Sequence, residues 1–189
     1  MGFLRRGATA HRSGVSLLQD LSDRSVATVR HAIDAHKRAG DIILVSIHWG
    51  SNWGFDILPL QRRFAHALLE GAGADLVHGH SSHHVKGIEV YRDKLILYGC
   101  GDFLNDYEGI GGHDAYRGDL ALMYLPTLDS TTGRLRELVM IPTCIRRLRV
   151  NRASPEQADW LCATLNREGG RLGTSVERQA DDTLRLSWE

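Results

Sequence analysis

The chain has 189 residues, of which 42% are hydrophobic and 24% are charged, values that are ordinary for a globular domain. Its 23 Lys and Arg residues balance its 23 Asp and Glu residues, so no overall charge attracts nucleic acid or an anionic membrane. The three cysteines are widely spaced, which argues against a disulfide framework. We find no apolar run of membrane-spanning length and no secretory signal, and by default we expect a single cytoplasmic domain over 1–189.

The first half of the chain predicts alternating helices and strands after an irregular segment at 1–19. The predicted elements are a helix from Ser22 to Ala39, a strand over 42–47, a helix from Pro59 to Gly71 and a strand over 75–79. The first strand is continuously apolar, which is typical of a strand covered on both faces of a sheet. The order predicts two parallel strands joined by a crossover helix, and therefore an α/β fold.

The second half changes character and favours antiparallel strands. The predicted strands cover 87–91, 95–100, 120–125, 135–141 and 143–150. A long loop rich in Gly and acidic residues covers 101–118, and loops of this length in compact domains are usually functional or disordered. A capping box at Ser154 begins a helix that runs to Glu168, and Leu184 to Trp188 reads as a final edge strand.

Histidines follow both predicted strands of the first half. His48 comes directly after the first strand, and His80 and His83 follow the second. Because the carboxyl ends of parallel strands share one sheet edge, these imidazoles can converge on one divalent cation such as Zn²⁺ or Mn²⁺. A histidine after a strand is also often structural, donating to a backbone carbonyl. His78 is as well explained as a core residue, and His84 is an outside candidate for a ligand or a proton donor.

The 101–118 loop and the His48 loop supply further candidates. Asp102 follows the end of a strand and could orient a histidine or act as a general base, and Asn105 lies close to it. For any one polar residue of this loop, simple solvation is the alternative. Trp49 and Trp53 flank the His48 loop, where they are either packing residues or a platform for substrate.

Several other patterns point to no specific site. Arg5-Arg6 and Arg146-Arg147 are short basic runs, which we interpret as solvated surface because no stripe of aromatic and basic residues accompanies them. Ser81 and Ser82 lie among histidines, but no nucleophile elbow, phosphate-binding loop or zinc-finger spacing is present.

Four segments of the chain together resemble a known family. They cover 41–50, 73–83, 87–91 and 97–103 and read DIILVSIHWG, GADLVHGHSSH, GIEVY and LYGCGDF. In this order and spacing, within 20–150, they resemble the C-terminal half of the CapA family of capsule or poly-γ-glutamate biosynthesis proteins. The remainder, 151–189, would add a helix and an edge strand. The chain departs from the family at Ser81-Ser82, where bulkier residues are usual, and at Asp102, where Asn is usual.

The resemblance implies a fold, a site and a chemistry. The fold would be the C-terminal half of a calcineurin-like metallophosphoesterase sandwich, with a buried mixed sheet, flanking helices and antiparallel strands. It implies that His48, His80 and His83 are ligands of a divalent metal (Mn, Zn or Fe). We assign His83 and Asp102 as candidate catalytic residues and Trp49, Trp53 and Asn105 as candidate substrate contacts.

Two classes of function follow from the resemblance. One is a metal-dependent hydrolase of the phosphoesterase kind; the alternative is a non-enzymatic accessory that binds an anionic polymer or a synthase, or an inactive fragment. Members of the family also carry an Asp motif and further ligands on segments that we do not find before Ser22. We therefore expect that this chain alone does not hold two metals unless Asp102 or its loop substitutes, since two dications repel without anionic ligands. We also expect an uncovered sheet edge that would take the missing half or a second copy, and by family analogy the cell envelope is a possible location.

Overall fold

The computed structural model describes residues 7–9, 11–105 and 110–189, which form two sheets and three α-helices. The helices are α1 (Asp23–Asp34), α2 (Pro59–Glu70) and α3 (Pro155–Gly169). The strands are β1 (Leu44–His48), β2 (Leu76–His80), β3 (Ile88–Tyr91), β4 (Lys94–Leu97), β5 (Leu120–Leu128), β6 (Leu135–Ile145), β7 (Val150–Arg152), β8 (Thr174–Arg178) and β9 (Leu184–Trp188). None of the helices in these described ranges combines the length and apolarity needed to cross a bilayer.

The first sheet is mixed and has the strand order β1-β2-β4-β3. β1 and β2 are parallel and are joined through α2, which confirms the predicted crossover. Pro59 occupies the first turn of α2, where its missing N–H costs nothing, and Phe64 and Leu68 point inward from it. β3 and β4 form a hairpin whose two turn residues, Arg92 and Asp93, both have positive φ, as a tight two-residue hairpin turn requires.

The second sheet is antiparallel and has the order β5-β6-β9-β8, with β7 paired to β6. α3 begins at a capping box in which Ser154 accepts from the backbone of Gln157 and the Gln157 side chain accepts in return. The second sheet and α3 pack on one face of the first sheet, through residues such as Leu76, Leu138 and Leu161. Together with the mixed first sheet, these layers confirm the predicted α/β class.

The other face of the first sheet is covered by α1 and α2. Val77 and Ile96 pack there against Phe64 and Leu68, while their strand neighbours face the second sheet. This alternation is the two-residue period of a strand, and it explains why β2 and β4 are apolar at successive positions. The layered arrangement fixes the carboxyl ends of β1 and β2 at one edge of the molecule.

The prediction that the first strand is covered on both faces is wrong for the described residues. β1 is an edge strand that pairs with β2, and Leu44 remains 56% exposed. A continuous apolar run reports a preference for burial, but it does not report whether a second layer covers each face of the strand, and the face of β1 that carries Leu44 is exposed. The edge agrees with the expectation of an uncovered sheet edge.

Several predicted boundaries also differ from the structure. α1 ends at Asp34 rather than Ala39, because the chain passes into turns in which the ring of His36 bonds to the carbonyl of Ala32. The two strands predicted over 135–141 and 143–150 are largely one strand, β6, which continues through Pro142. Pro142 lies between the stretches that pair with β9 and with β7, where a missing N–H is tolerated.

The C-terminal strand is confirmed, but its place in the sheet is not. Leu184 to Trp188 forms β9 as predicted, yet β9 lies between β6 and β8 instead of at the edge. β8, which takes the edge position, was not anticipated from the sequence. Its burial alternates from Thr174 onward, so that Thr174 and Val176 face the core while Ser175 and Glu177 face solvent.

Candidate functional site

Three imidazoles lie side by side at the ends of β1 and β2. His48 and His80 are register partners on the parallel strands, and their ring centroids are 5.2 Å apart with an edge-to-face angle of 74°. His78 lies two residues before His80 on the same face, with centroids 5.5 Å apart. Its Nδ1 is 3.0 Å from the hydroxyl of Ser46. The structure therefore brings the predicted pair His48 and His80 together and adds His78 to it.

Burial disfavours the charged form of two rings in this cluster. It lowers the pKa of His78, and burial, together with repulsion from the positive charge that His78 carries when protonated, lowers the pKa of His80. Both shifts favour the neutral imidazole. The neutral imidazole is the form that accepts a proton or binds a metal ion.

His83 forms a separate, oriented pair with Asp102. The distance between His83 Nδ1 and Asp102 Oδ2 is 2.8 Å, and the Asn105 amide donates to the same oxygen at 3.4 Å. On the other side of the ring, Asn52 Nδ2 is 3.3 Å from His83 Nε2. Because the amide nitrogen is a donor, Nε2 accepts and the ring proton sits on Nδ1, where it is donated to the carboxylate. Asp102 therefore fixes the tautomer and the direction of the ring.

These side chains line one cavity, the histidine cavity, of about 690 Å³. Its polar wall is built from His48, His78, His80, Ser81, His83 and Asp102. Its apolar wall comes largely from β5 and includes Leu44, Leu122, Met123 and Tyr124. The cavity therefore combines imidazole and carboxylate groups with a surface that suits hydrocarbon.

A complete metal site is not formed by the described residues alone. No three or more His, Cys, Asp or Glu side chains within 7–9, 11–105 and 110–189 converge closely enough to hold a metal ion. His48 and His80 suit two ligand positions, whereas the ring nitrogens of His83 face Asp102 and Asn52. The predicted ligand role of His48, His80 and His83 stays a prediction.

The predicted substrate contacts have different positions. Trp49 is 7% exposed, stacks on Tyr98 and donates from Nε1 to the Tyr98 carbonyl at 3.1 Å, which places it in the core rather than in the cavity. Its position corrects the expectation of a substrate contact and matches the packing alternative. The ring of Trp53 stacks on that of His113, with centroids 4.1 Å apart, and contacts the ring of His83, with centroids 5.4 Å apart, so Trp53 packs against His83. Asn105 contacts Asp102.

His84 is a packing residue rather than a ligand or a proton donor. It is fully buried, its Nδ1 bonds to the carbonyl of Val85, and it stacks on Tyr116 at 4.8 Å. The acidic residues of the 101–118 loop at 106 and 108 lie outside the described residues. Asn52 carries no sequence signal of this role, since its contact with His83 spans 31 positions and no motif marks it.

Comparison with known proteins agrees with this architecture. The family described as "Bacterial capsule synthesis protein PGA_cap" matches residues 4–107, which is more than half of the chain. The chain belongs to this family, which confirms the resemblance drawn from its motifs.

Individual relatives carry related names. A probable polyglutamine synthesis accessory protein of Mycobacterium tuberculosis is 48% identical over 180 residues, covering 95% of this chain and 47% of that protein. The PGA biosynthesis protein CapA of Bacillus subtilis is 39% identical over 74 residues, covering 39% of this chain and 19% of that protein. The capsule biosynthesis protein CapA of Bacillus anthracis is 31% identical over 100 residues, covering 53% of this chain and 24% of that protein. The chain spans about half the length of the mycobacterial relative.

Proposed function

We propose that this chain contributes to capsule-type polyglutamate synthesis as part of an accessory protein, and that the histidine cavity binds a segment of the acidic polymer. The observation that carries the proposal is the cavity itself, in which an oriented His83 and the neighbouring imidazoles face an apolar wall. A glutamate polymer offers both kinds of surface, because each repeat has a carboxylate and a stretch of methylene groups. The names of two relatives, a probable polyglutamine synthesis accessory protein and a PGA biosynthesis protein, also support a role in polymer synthesis.

The walls of the histidine cavity suit these two parts of the repeat. The methylene groups would pack on the side chains of Leu122 and Met123, where removal of apolar surface from water favours binding. The carboxylates would accept hydrogen bonds from the Ser81 hydroxyl and from imidazole N–H groups of His48 or His80. Because the Ser81 hydroxyl is a neutral donor, we expect modest affinity per repeat.

The experiment measures binding of the polymer to the 189-residue chain. Fluorescence anisotropy with short poly-γ-glutamate oligomers measures binding for the wild type, His48→Ala and His80→Ala, with the exposed His36→Ala as the matched control. We expect weaker binding for the two cavity variants and no change for the control. Equal affinity in all four proteins would reject the histidine cavity as the binding site.

A metal-dependent hydrolase of the phosphoesterase type is the second candidate. It is favoured by His48 and His80, which face each other at 5.2 Å at a strand-end edge. If Mn, Zn or Fe were bound, it would activate water and polarise a phosphoryl or acyl oxygen. The remaining ligands would come from the other part of a longer protein, from a second copy or from the 101–118 loop. His83, oriented by Asp102, would take up a proton at Nε2 from the attacking water and then pass it to the leaving group.

Hydrolysis distinguishes the two candidates. Release of product from a phosphodiester or from the polymer, measured with added Mn²⁺ for the wild type and His83→Ala, would support the hydrolase if the variant is slower. Polymer binding without any turnover would support the accessory role.

A further inference from the structure

The turn between β6 and β7 carries a second cavity with a very different lining. Four arginines line it, together with polar groups at the start of α3, and its volume is about 650 Å³. We call this the arginine cup and define it by Arg146, Arg147, Arg149 and Arg152. The sequence suggested only a solvated Arg146-Arg147 pair, whereas folding brings two further guanidinium groups to the same concave surface.

The backbone of the arginine cup is held in place by one side chain. The amide nitrogen of Asn151 donates to the carbonyls of Cys144, Arg146 and Arg149 at 3.3, 3.1 and 2.9 Å. Arg146 and Arg149 also exchange two backbone hydrogen bonds across a tight turn. The turn is closed by two residues with positive φ, Arg147 and Leu148, at positions where Asn and Gly are usual. The arginines are therefore presented by an ordered turn.

No ion pair among the described residues neutralises the arginine cup, but the Asp181 carboxylate lies within electrostatic reach of it: hydrogen bonds from Thr183 and the charge of Arg152 lower the pKa of Asp181. Within the part of the chain that the structure describes, Arg146, Arg147 and Arg149 form no ion pair, and Arg152 donates to a backbone carbonyl, that of Asp181. Two carboxylates contact residues that line the cup, and each has a partner of its own. Asp119 is paired with Arg117 at 2.7 Å, and Glu156 accepts from the Ser154 hydroxyl at 2.7 Å.

The start of α3 adds to this positive field. Ser154 is the N-cap of a 15-residue helix and also lines the cup, so the positive end of the helix dipole lies at the cup. Guanidinium groups bind carboxylates with two parallel hydrogen bonds, which makes an array of arginines suited to a ligand with repeated carboxylates. A chain whose formal net charge is zero thus brings four guanidinium groups to one concave surface.

We propose that the arginine cup binds carboxylates of the same acidic polymer and is a second contact point beside the histidine cavity. This inference rests on the proposed function. The two cavities share the β5–β6 ladder: Leu122 of the histidine cavity pairs with Pro142, and Cys144 of the arginine cup pairs with Leu120, two positions along β5. One polymer chain with a carboxylate at every repeat can engage both sites, and binding at two linked sites strengthens the whole contact.

The test measures binding of short poly-γ-glutamate oligomers to the 189-residue chain at low and moderate salt. The variant Arg146→Gln with Arg149→Gln removes two charges from the arginine cup. The control Arg24→Gln with Arg63→Gln removes two exposed charges elsewhere, and circular dichroism checks that all proteins are folded. We expect about tenfold weaker binding for the cup variant and little change for the control, because two exposed charge contacts are lost. The cup variant should also show a weaker dependence on salt.

The outcomes separate this inference from the proposed function. Binding that the cup variant retains but His48→Ala loses would overturn the arginine cup and leave the histidine cavity standing. Equal weakening by the cup variant and its control would also overturn it, since only net charge would matter. Absence of binding by the wild type would overturn both proposals. If the cup variant lost affinity for vesicles of phosphatidylglycerol and phosphatidylcholine but kept its affinity for the polymer, the ligand would be a lipid headgroup, and the inference would be wrong.

Discussion

Replacing Glu89 with Gln tests whether a buried ionic network stabilises the first sheet. The Glu89 carboxylate is 3% exposed and accepts hydrogen bonds from the guanidinium of Arg62 at 2.6 and 3.0 Å. It also accepts from the hydroxyl of Tyr98 at 2.6 Å and lies 3.1 Å from His66 Nε2. Each of these groups joins β3 to α2 or β4, so the network ties the hairpin to the helix layer.

The expected loss follows from the exposure of the partners. The Tyr98 bond is buried and charge-assisted, which makes it worth about 1.5–3 kcal/mol. Arg62 is 44% exposed, so solvent screening reduces its ion pair to about 1 kcal/mol or less. We therefore expect Glu89→Gln to lower the free energy of unfolding by about 2–4 kcal/mol at pH 7.

Urea unfolding followed by tryptophan fluorescence measures this loss. The exposed Glu177→Gln is the matched control and should change the free energy of unfolding by less than about 0.5 kcal/mol. A double-mutant cycle with Tyr98→Phe should give a coupling energy above about 1 kcal/mol. A Glu89→Gln protein as stable as the control would refute the reasoning, because the network would then contribute nothing beyond its own desolvation.

The effect of pH gives the same network a second test. Burial alone would raise the pKa of Glu89, but the hydrogen bonds from Arg62 and Tyr98 outweigh it and lower the pKa. A carboxyl whose pKa is lower in the folded state contributes fully above its unfolded pKa of about 4.3 and loses that contribution as pH falls through the lowered value. The stability difference between wild type and Glu89→Gln should therefore shrink below about pH 4.

Three further predictions concern other parts of the chain. Gly79→Ala should lower the free energy of unfolding by about 3 kcal/mol, measured by urea unfolding, because a Cβ at this position would clash with the Trp49 ring and with backbone carbonyls of the neighbouring chain segment. An unchanged unfolding midpoint would contradict this close packing. Burial opposes a low pKa for Asp75, but its hydrogen bonds from Lys94 and from the Ile43 backbone outweigh burial and lower the pKa. Wild type should therefore lose stability below about pH 4 more steeply than Asp75→Asn does, and parallel curves would exclude this role. Burial raises the pKa of Cys100 to about 12, so this thiol should resist alkylation at pH 8 until the chain unfolds, as peptide mass analysis can show; rapid native labelling would disprove its burial.

The part of the fold that could be predicted from sequence is the part governed by local rules. The crossover from β1 through α2 to β2 follows from periodicity and from Pro59, and the meeting of His48 with His80 follows because parallel strands end at one edge. An uncovered sheet edge was expected, but the residue pattern did not show that β1 would be the edge strand, because strand order depends on contacts between segments far apart in sequence.

The remainder of the site depends on contacts between residues far apart in sequence. The hydrogen bond of Asn52 to His83 depends on how two loops meet, and no residue pattern encodes that meeting. The arginine cup was missed for a related reason. Arg149 and Arg152 reach Arg146 only because Arg147 and Leu148 adopt positive φ, a conformation that neither residue type favours.

The pairing of His48 with His80 makes the register of two strands a condition for the chemistry of the site. A slip of β2 by one residue would set Gly79 or Ser81 opposite His48 and would turn His80 to the helix side of the sheet. The same slip would also remove Val77 from its packing against α2, so the chain would be less stable and would lack the His48–His80 pair. The packing of the sheet and the meeting of the two imidazoles therefore depend on the same strand register, and a change of register would lose both.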